Sequence, residues 1–149
     1  MAIVTRVAEE LRAAMQRKEA HRVSTLRTLK SALQYATIEK GAQLTESEEI
    51  QVVRREIKRR ADASAGFRQG GRLELAQKEE EEARILEEFL PKALSDEELE
   101  NLARETIQEL GASSVAQLGP VMKAVMAKIA GRAEGKRVQE VVRRLLLTT

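Results

Sequence analysis

The chain has 149 residues, and its 26 lysines and arginines stand against 24 aspartates and glutamates, so a third of it is charged while the net charge is only +2. A hydrophobic share of 42% with balanced charge excludes the polar, one-signed composition of disordered chains, and with only Tyr35, Phe67 and Phe89 as aromatics there is almost no platform for base stacking. The absence of cysteine removes disulfides and thiolate chemistry, and no stretch approaches a signal peptide or the roughly 18 to 20 apolar residues of a membrane helix, so the chain reads as soluble and cytoplasmic.

Two prolines and eight glycines among abundant Ala, Leu, Glu, Arg and Lys predict an all-α protein. Ile3, Val4, Val7, Ala8, Leu11, Ala14 and Met15 recur at three- and four-residue steps, which makes one face of a first helix. Val23, Leu26, Leu29, Leu33 and Ala36 repeat the pattern in a second, which ends near Gly41 because glycine tolerates the left-handed cap. Thr45 and Glu48 form a capping box that opens a third helix, with Ile50, Val53, Ile57, Ala61 and Ser64 inward and Gly70-Gly71 as its break. A fourth helix turns Leu73, Ala76, Ala83, Leu86 and Leu90 inward and stops at Pro91.

Ser95 and Glu98 form a second box, starting a fifth helix with Leu99, Leu102, Ala103, Ile107 and Leu110 inward and Gly111 as its stop. Ser113-Ser114 cap a short turn, and Gly119-Pro120 starts a sixth helix with Met122, Val125, Met126 and Ile129 inward, closed by Gly131. A seventh follows Gly135 with Val138, Val141, Val142, Leu145 and Leu146 inward. Proline, a shift in composition and a fresh cap coincide between Leu90 and Ser95. They predict two domains, an N-terminal bundle of long amphipathic helices over residues 1–91 and a small C-terminal helical domain over residues 95–149.

Charge separates along the chain. Residues 1–91 hold 17 basic and 16 acidic side chains, whereas residues 111–149 hold seven basic ones against Glu134 and Glu140, a net +5. Catalytic groups are sparse. His21 is the single histidine and reads as an exposed or capping residue, and neither a zinc site nor a Ser-His-acid triad can be built around it. Gly66 to Arg72 lacks the lysine and hydroxyl of a phosphate loop and reads as a flexible connection. No catalytic residue, metal site or cofactor is predicted.

Two basic clusters remain. Arg54, Arg55, Lys58, Arg59 and Arg60 on the third helix read first as a solvated face paired with Glu56 and with the acidic fourth helix, and second as phosphate contacts. In Gly131-Arg132-Ala133-Glu134-Gly135-Lys136-Arg137 one helix ends and the next begins, with Lys136 and Arg137 in a first turn where positive charge is disfavoured. A bound phosphate would account for that arrangement.

The order of Arg27-Thr28-Leu29-Lys30-Ser31-Ala32, Arg55-Glu56-Ile57-Lys58, Phe89-Leu90-Pro91, Gly111-Ala112-Ser113-Ser114, Gly119-Pro120-Val121-Met122 and Gly131 to Lys136 resembles the YqeY-like family (GatB/YqeY). That family shares its C-terminal part with the tail domain of the B subunit of the tRNA-dependent amidotransferase. The resemblance implies an all-helical, two-part protein whose tail is similar to a segment that contacts tRNA. It also brings the label of a carbon-nitrogen ligase with glutamine as amido-N-donor, although the parts of that enzyme that activate the carboxylate and free ammonia lie outside the shared tail.

The resulting expectation is a tRNA-associated accessory protein without a complete catalytic centre. Lys123, Lys128, Arg132, Lys136 and Arg137 would contact nucleic acid, gripping the phosphate backbone of tRNA or another structured RNA by charge and shape. Amidotransferase subunits or an aminoacyl-tRNA synthetase are further expected partners, with no membrane role and an open oligomeric state. The alternative is a protein-interaction module or scaffold that docks through the acidic fourth and basic third helices.

Overall fold

Every predicted apolar stripe becomes a helix. The computed structural model describes residues 2–148, and among these the order is α1 (Ile3–Gln16), α2 (Ala20–Lys40), α3 (Glu46–Gln69), α4 (Leu73–Glu87), α5 (Asp96–Leu110), a 3-10 turn (Val115–Gln117), α6 (Leu118–Ile129) and α7 (Gly135–Leu147). No helix among them is long and apolar enough to cross a membrane. The chain divides into two compact units, residues 1–90 and residues 91–149.

In the first unit, α1 to α4 close over Val7, Leu11, Leu26, Leu29, Leu33, Val53, Leu86 and Phe89, all buried. α1 has no cap of its own, since Ala2 offers no side-chain acceptor and its first turn holds no acid. Glu49 of α3 supplies one, accepting the Val4 N–H at 2.8 Å from a side chain only 3% exposed. A carboxylate at a helix N-terminus satisfies a free donor and opposes the helix dipole. Thr45 and Glu48 form the expected box at the start of α3, and Gly41 closes α2 at φ 75°.

The inward face of α3 keeps Ile50, Val53, Ile57 and Ser64 as read in the sequence, loses Ala61, which is exposed, and adds two buried carboxylates, Glu49 and Glu56. Its seam with α4 is polar: Arg60 pairs with Glu56 (3.3 Å) and Glu82 (3.9 Å), and Glu80 accepts from Ser64 (2.8 Å) and Arg68 (2.8 Å). Burial and the neighbouring Glu82 push the Glu79 carboxyl above its ordinary value. Leu73, expected inward, is 54% exposed at the start of α4. α4 stops at Glu87 rather than at Pro91, with a turn through Glu88 to Leu90 between them.

The second unit packs α5, α6 and α7 around Leu99, Ala103, Val121, Val125, Val138 and Val142. Leu110 at the end of α5 is exposed rather than inward. Ser95 accepts the Glu98 N–H at 3.1 Å, but the Glu98 carboxylate takes the Ser95 hydroxyl instead of returning to the backbone, so half of the expected box forms. Ser114 and Gln117 cap the 3-10 turn, which runs directly into α6 at Leu118, so Pro120 stands third in that helix rather than first. Ala130, not Gly131, ends α6, in the left-handed region at φ 47° and followed by Gly131 at φ 82°.

Candidate nucleic-acid interface

The cations of residues 111–149 do not form one outward surface, because α5 meets them with acids. Taken over residues 91–149, nine basic side chains stand against eight acidic ones, and most of the +5 counted from the sequence is balanced inside the unit.

The segment between α6 and α7 acts first as a brace. The Arg132 carbonyl accepts the Leu94 N–H at 2.9 Å, and Arg132 Nε donates to the Lys92 carbonyl at 2.9 Å, with Glu98 3.6 Å from its guanidinium. Arg137, in the first turn of α7, donates to the Leu94 carbonyl at 2.9 Å and to Asp96 at 2.6 Å. Two arginines therefore fasten the chain entering α5, with Leu94 and Ala133 buried beneath them. The unusual positive charge at the start of α7 is answered by Asp96 rather than by a bound anion in the case of Arg137. Lys128, in the last turn of α6, donates to Glu109 at 2.6 Å and to the hydroxyl of the buried Thr106 at 3.1 Å.

Lys123 and Lys136 differ from these three. Both are exposed, and neither makes an ion pair or side-chain hydrogen bond among the described residues. They lie on the two helices that meet through Met126 and Gly135. Lys123 lies one turn before Met126 on α6, and a Cβ at Gly135, the residue before Lys136, would stand 3.8 Å from Met126 Cε. The first turn of α7 carries no acid. Two turns beyond Lys136, on the same side of α7, lies the exposed Arg143, which the sequence reading counted in the charge of the tail but did not assign to the site. Its seven-residue spacing from Lys136 was the available signal. The next residue, Arg144, instead reaches Glu100 at 3.6 Å, and Glu100 is held below the usual carboxylate range chiefly by its hydrogen bond from Arg104.

In the first unit, the cations of α3 also turn partly inward. Arg59 and Arg60 meet Glu56, and Arg60 and Arg68 meet α4, while Arg55 and Lys58 remain exposed. Two ion pairs, Arg60 with Glu82 and Arg68 with Glu80, join the basic third helix to the acidic fourth. His21 lies in the first turn of α2 with Nε2 3.8 Å from Glu81 of α4. Among the described residues, no group of three or more histidine or acidic side chains is placed to hold a metal ion.

An uncharacterized protein of Schizosaccharomyces pombe, C22F3.15, is 31% identical to the chain over 90 residues, which covers 60% of this chain and 73% of that one. The family model described as Yqey-like protein matches residues 4–146, nearly the whole length. The chain belongs to the YqeY-like family.

Proposed function

We propose that the protein binds structured RNA, tRNA being the class implied by the likeness to the amidotransferase tail, as an accessory rather than as a complete amidating enzyme. The supporting observation is the division of the tail's cations into two sets. Arg132, Arg137 and Lys128 hold the second unit together, whereas Lys123 on α6 and Lys136 and Arg143 on α7 keep their charge in solvent. Cations that stabilise nothing inside a fold are free to neutralise phosphates, and the acid-free first turn of α7 adds dipole of the same sign. With stacking platforms scarce, recognition works through backbone charge and shape.

The test is a tRNA titration by fluorescence anisotropy at several salt concentrations. Each phosphate neutralised contributes roughly 0.7 to 0.9 to the log-log salt slope, so three contacts give a slope of about 2 to 3. Lys123→Glu, Lys136→Glu and Arg143→Glu together flatten that slope and weaken binding. Equal retention of tRNA by the wild type and this variant would overturn the assignment.

A further inference from the structure

α2 carries the Arg27-Thr28-Leu29-Lys30-Ser31-Ala32 motif, for which the tail interface has no use. Only one acid, Glu39, occurs between Ala20 and Lys40, in a chain where a third of all residues are charged. Leu26, Leu29 and Leu33 anchor the inner face, so Ser24, Arg27, Thr28 and Ser31 lie outward. At the corner where α1 passes into α2, this outward face forms one wall of an open cleft of about 590 Å³. Lys18, Ser24, Arg27 and Thr28 line it together with the apolar Met15 and Val23, and no carboxylate lines it.

The two cations have no assigned work inside the fold. Lys18 and Arg27 are exposed and make no ion pair or side-chain hydrogen bond among the described residues. The neighbouring Arg17 pairs with Glu19 at 3.7 Å, and Arg22 is held by Glu10 and Glu88. Thr28 spends its hydroxyl proton on the Ser24 carbonyl at 3.1 Å, which leaves the Ser24 hydroxyl as the donor beside the two cations.

The backbone adds an independent observation. α1 ends in a Schellman-type turn, with the Lys18 N–H on the Met15 carbonyl and the Glu19 N–H on the Ala14 carbonyl. Its left-handed position, where glycine is the unstrained residue, is occupied by Lys18 at φ 58°. At the corresponding turn between α3 and α4 the left-handed residue is Gly71, at φ 75°. Lys18 thus keeps a side chain where glycine is unstrained, at a cleft that Arg27 also lines, and strain of this kind is found at ligand sites as well as at ordinary helix ends such as Ala130.

From these observations we infer that the α1–α2 cleft binds a phosphate group, held by Lys18 and Arg27 with the Ser24 hydroxyl, while Met15 and Val23 receive an apolar part of the same ligand. The phosphate belongs either to an RNA backbone or to a small phosphorylated molecule. The site is separate from Lys123, Lys136 and Arg143 and stands whether or not those residues bind tRNA.

The experiment follows backbone amide shifts of the full chain by NMR during titration with inorganic phosphate, with adenosine monophosphate and with tRNA. Saturable shifts at Lys18, Ser24, Arg27 and Thr28 are expected with at least one probe. A response to tRNA that outlasts Lys136→Glu assigns the RNA backbone as the source, and a response to the small probes alone assigns a free phosphorylated ligand. Arg27→Gln should weaken the response at least tenfold. Lys18→Gly should also weaken it while raising the unfolding midpoint, since it relieves the left-handed residue. Shifts with no probe, or shifts undiminished in both variants, would overturn the proposal, and the tail variant's own tRNA affinity reports separately on the proposed function.

Discussion

The two units carry nearly the same charge balance and dispose of it in opposite ways. Residues 1–90 hold 17 basic and 16 acidic side chains and residues 91–149 hold nine and eight. The first unit buries carboxylates: Glu49 and Glu56 are 3% and 4% exposed, one capping α1 and the other facing two arginines of its own helix. The second keeps its buried face apolar apart from Thr106, and its ion pairs lie on the rim, with Asp96 almost wholly in solvent. A helix-rich chain with balanced charge can therefore use its acids as part of a core seam or as surface partners for a basic segment. Sequence charge alone does not separate the two uses.

The largest effect that distinguishes the units is expected from Glu56→Ala, which leaves Arg60 without its main partner at 11% side-chain exposure. Losing one member of a buried pair costs roughly 3–5 kcal/mol. Urea unfolding followed by hydrogen exchange should show the loss in residues 1–90 and not in residues 91–149. A cost below about 1 kcal/mol would mean that the seam behaves like a surface pair. A smaller effect is expected from Arg137→Ala, which removes the hydrogen bonds to Leu94 and Asp96 from a partly exposed site and should cost roughly 1–2 kcal/mol. Its exchange signature belongs at the entry to α5.

The smallest effect is set by pH. Hydrogen bonds from Lys40 and from the Thr45 backbone and hydroxyl hold the Glu48 carboxyl at about 2, below its ordinary value of 4.5. A depressed folded-state value means the contribution is complete above about 4.5 and is lost as the pH falls toward 2. Glu48→Gln should flatten the acid side of the stability profile across that interval, and an unchanged profile would remove Glu48 from the account.

What the sequence made legible follows from what periodicity measures. The stripes of α1 and α7 were readable because apolar residues alone fill their inward faces, and that of α2 because Thr25 is the single polar residue buried among its leucines. The apolar face of α3 was readable except at Ala61, but its buried charges were not, since a hydrophobicity pattern assigns Glu49, Glu56 and Arg60 to solvent, and only tertiary partners make their burial tolerable. Thr45 and Glu48 were legible as a box because both partners are local, whereas the Ser95 box is halved by a hydrogen bond between the two side chains. That Lys123 and Lys136 stand in solvent is what their charge leads one to expect. That Arg132, Arg137 and Lys128 serve the fold could not be read from sequence, because their partners are the carbonyls of Lys92 and Leu94 and the carboxylates of Asp96 and Glu109, 19 to 43 residues away. The lysine in the left-handed turn after α1 was likewise invisible, since sequence signals for that turn are signals for glycine.

The capping of α1 by Glu49 also orders events in time. The donor and acceptor lie 45 residues apart, so during synthesis α1 is made well before the side chain that completes its start. Until α3 follows, the opening turn of α1 has only water to satisfy its N–H groups, and a 14-residue helix is of marginal length to persist in that state. A nascent chain halted before Glu49 would therefore leave the opening turn of α1 frayed, and that helix acquires its firm start only when α3 is made.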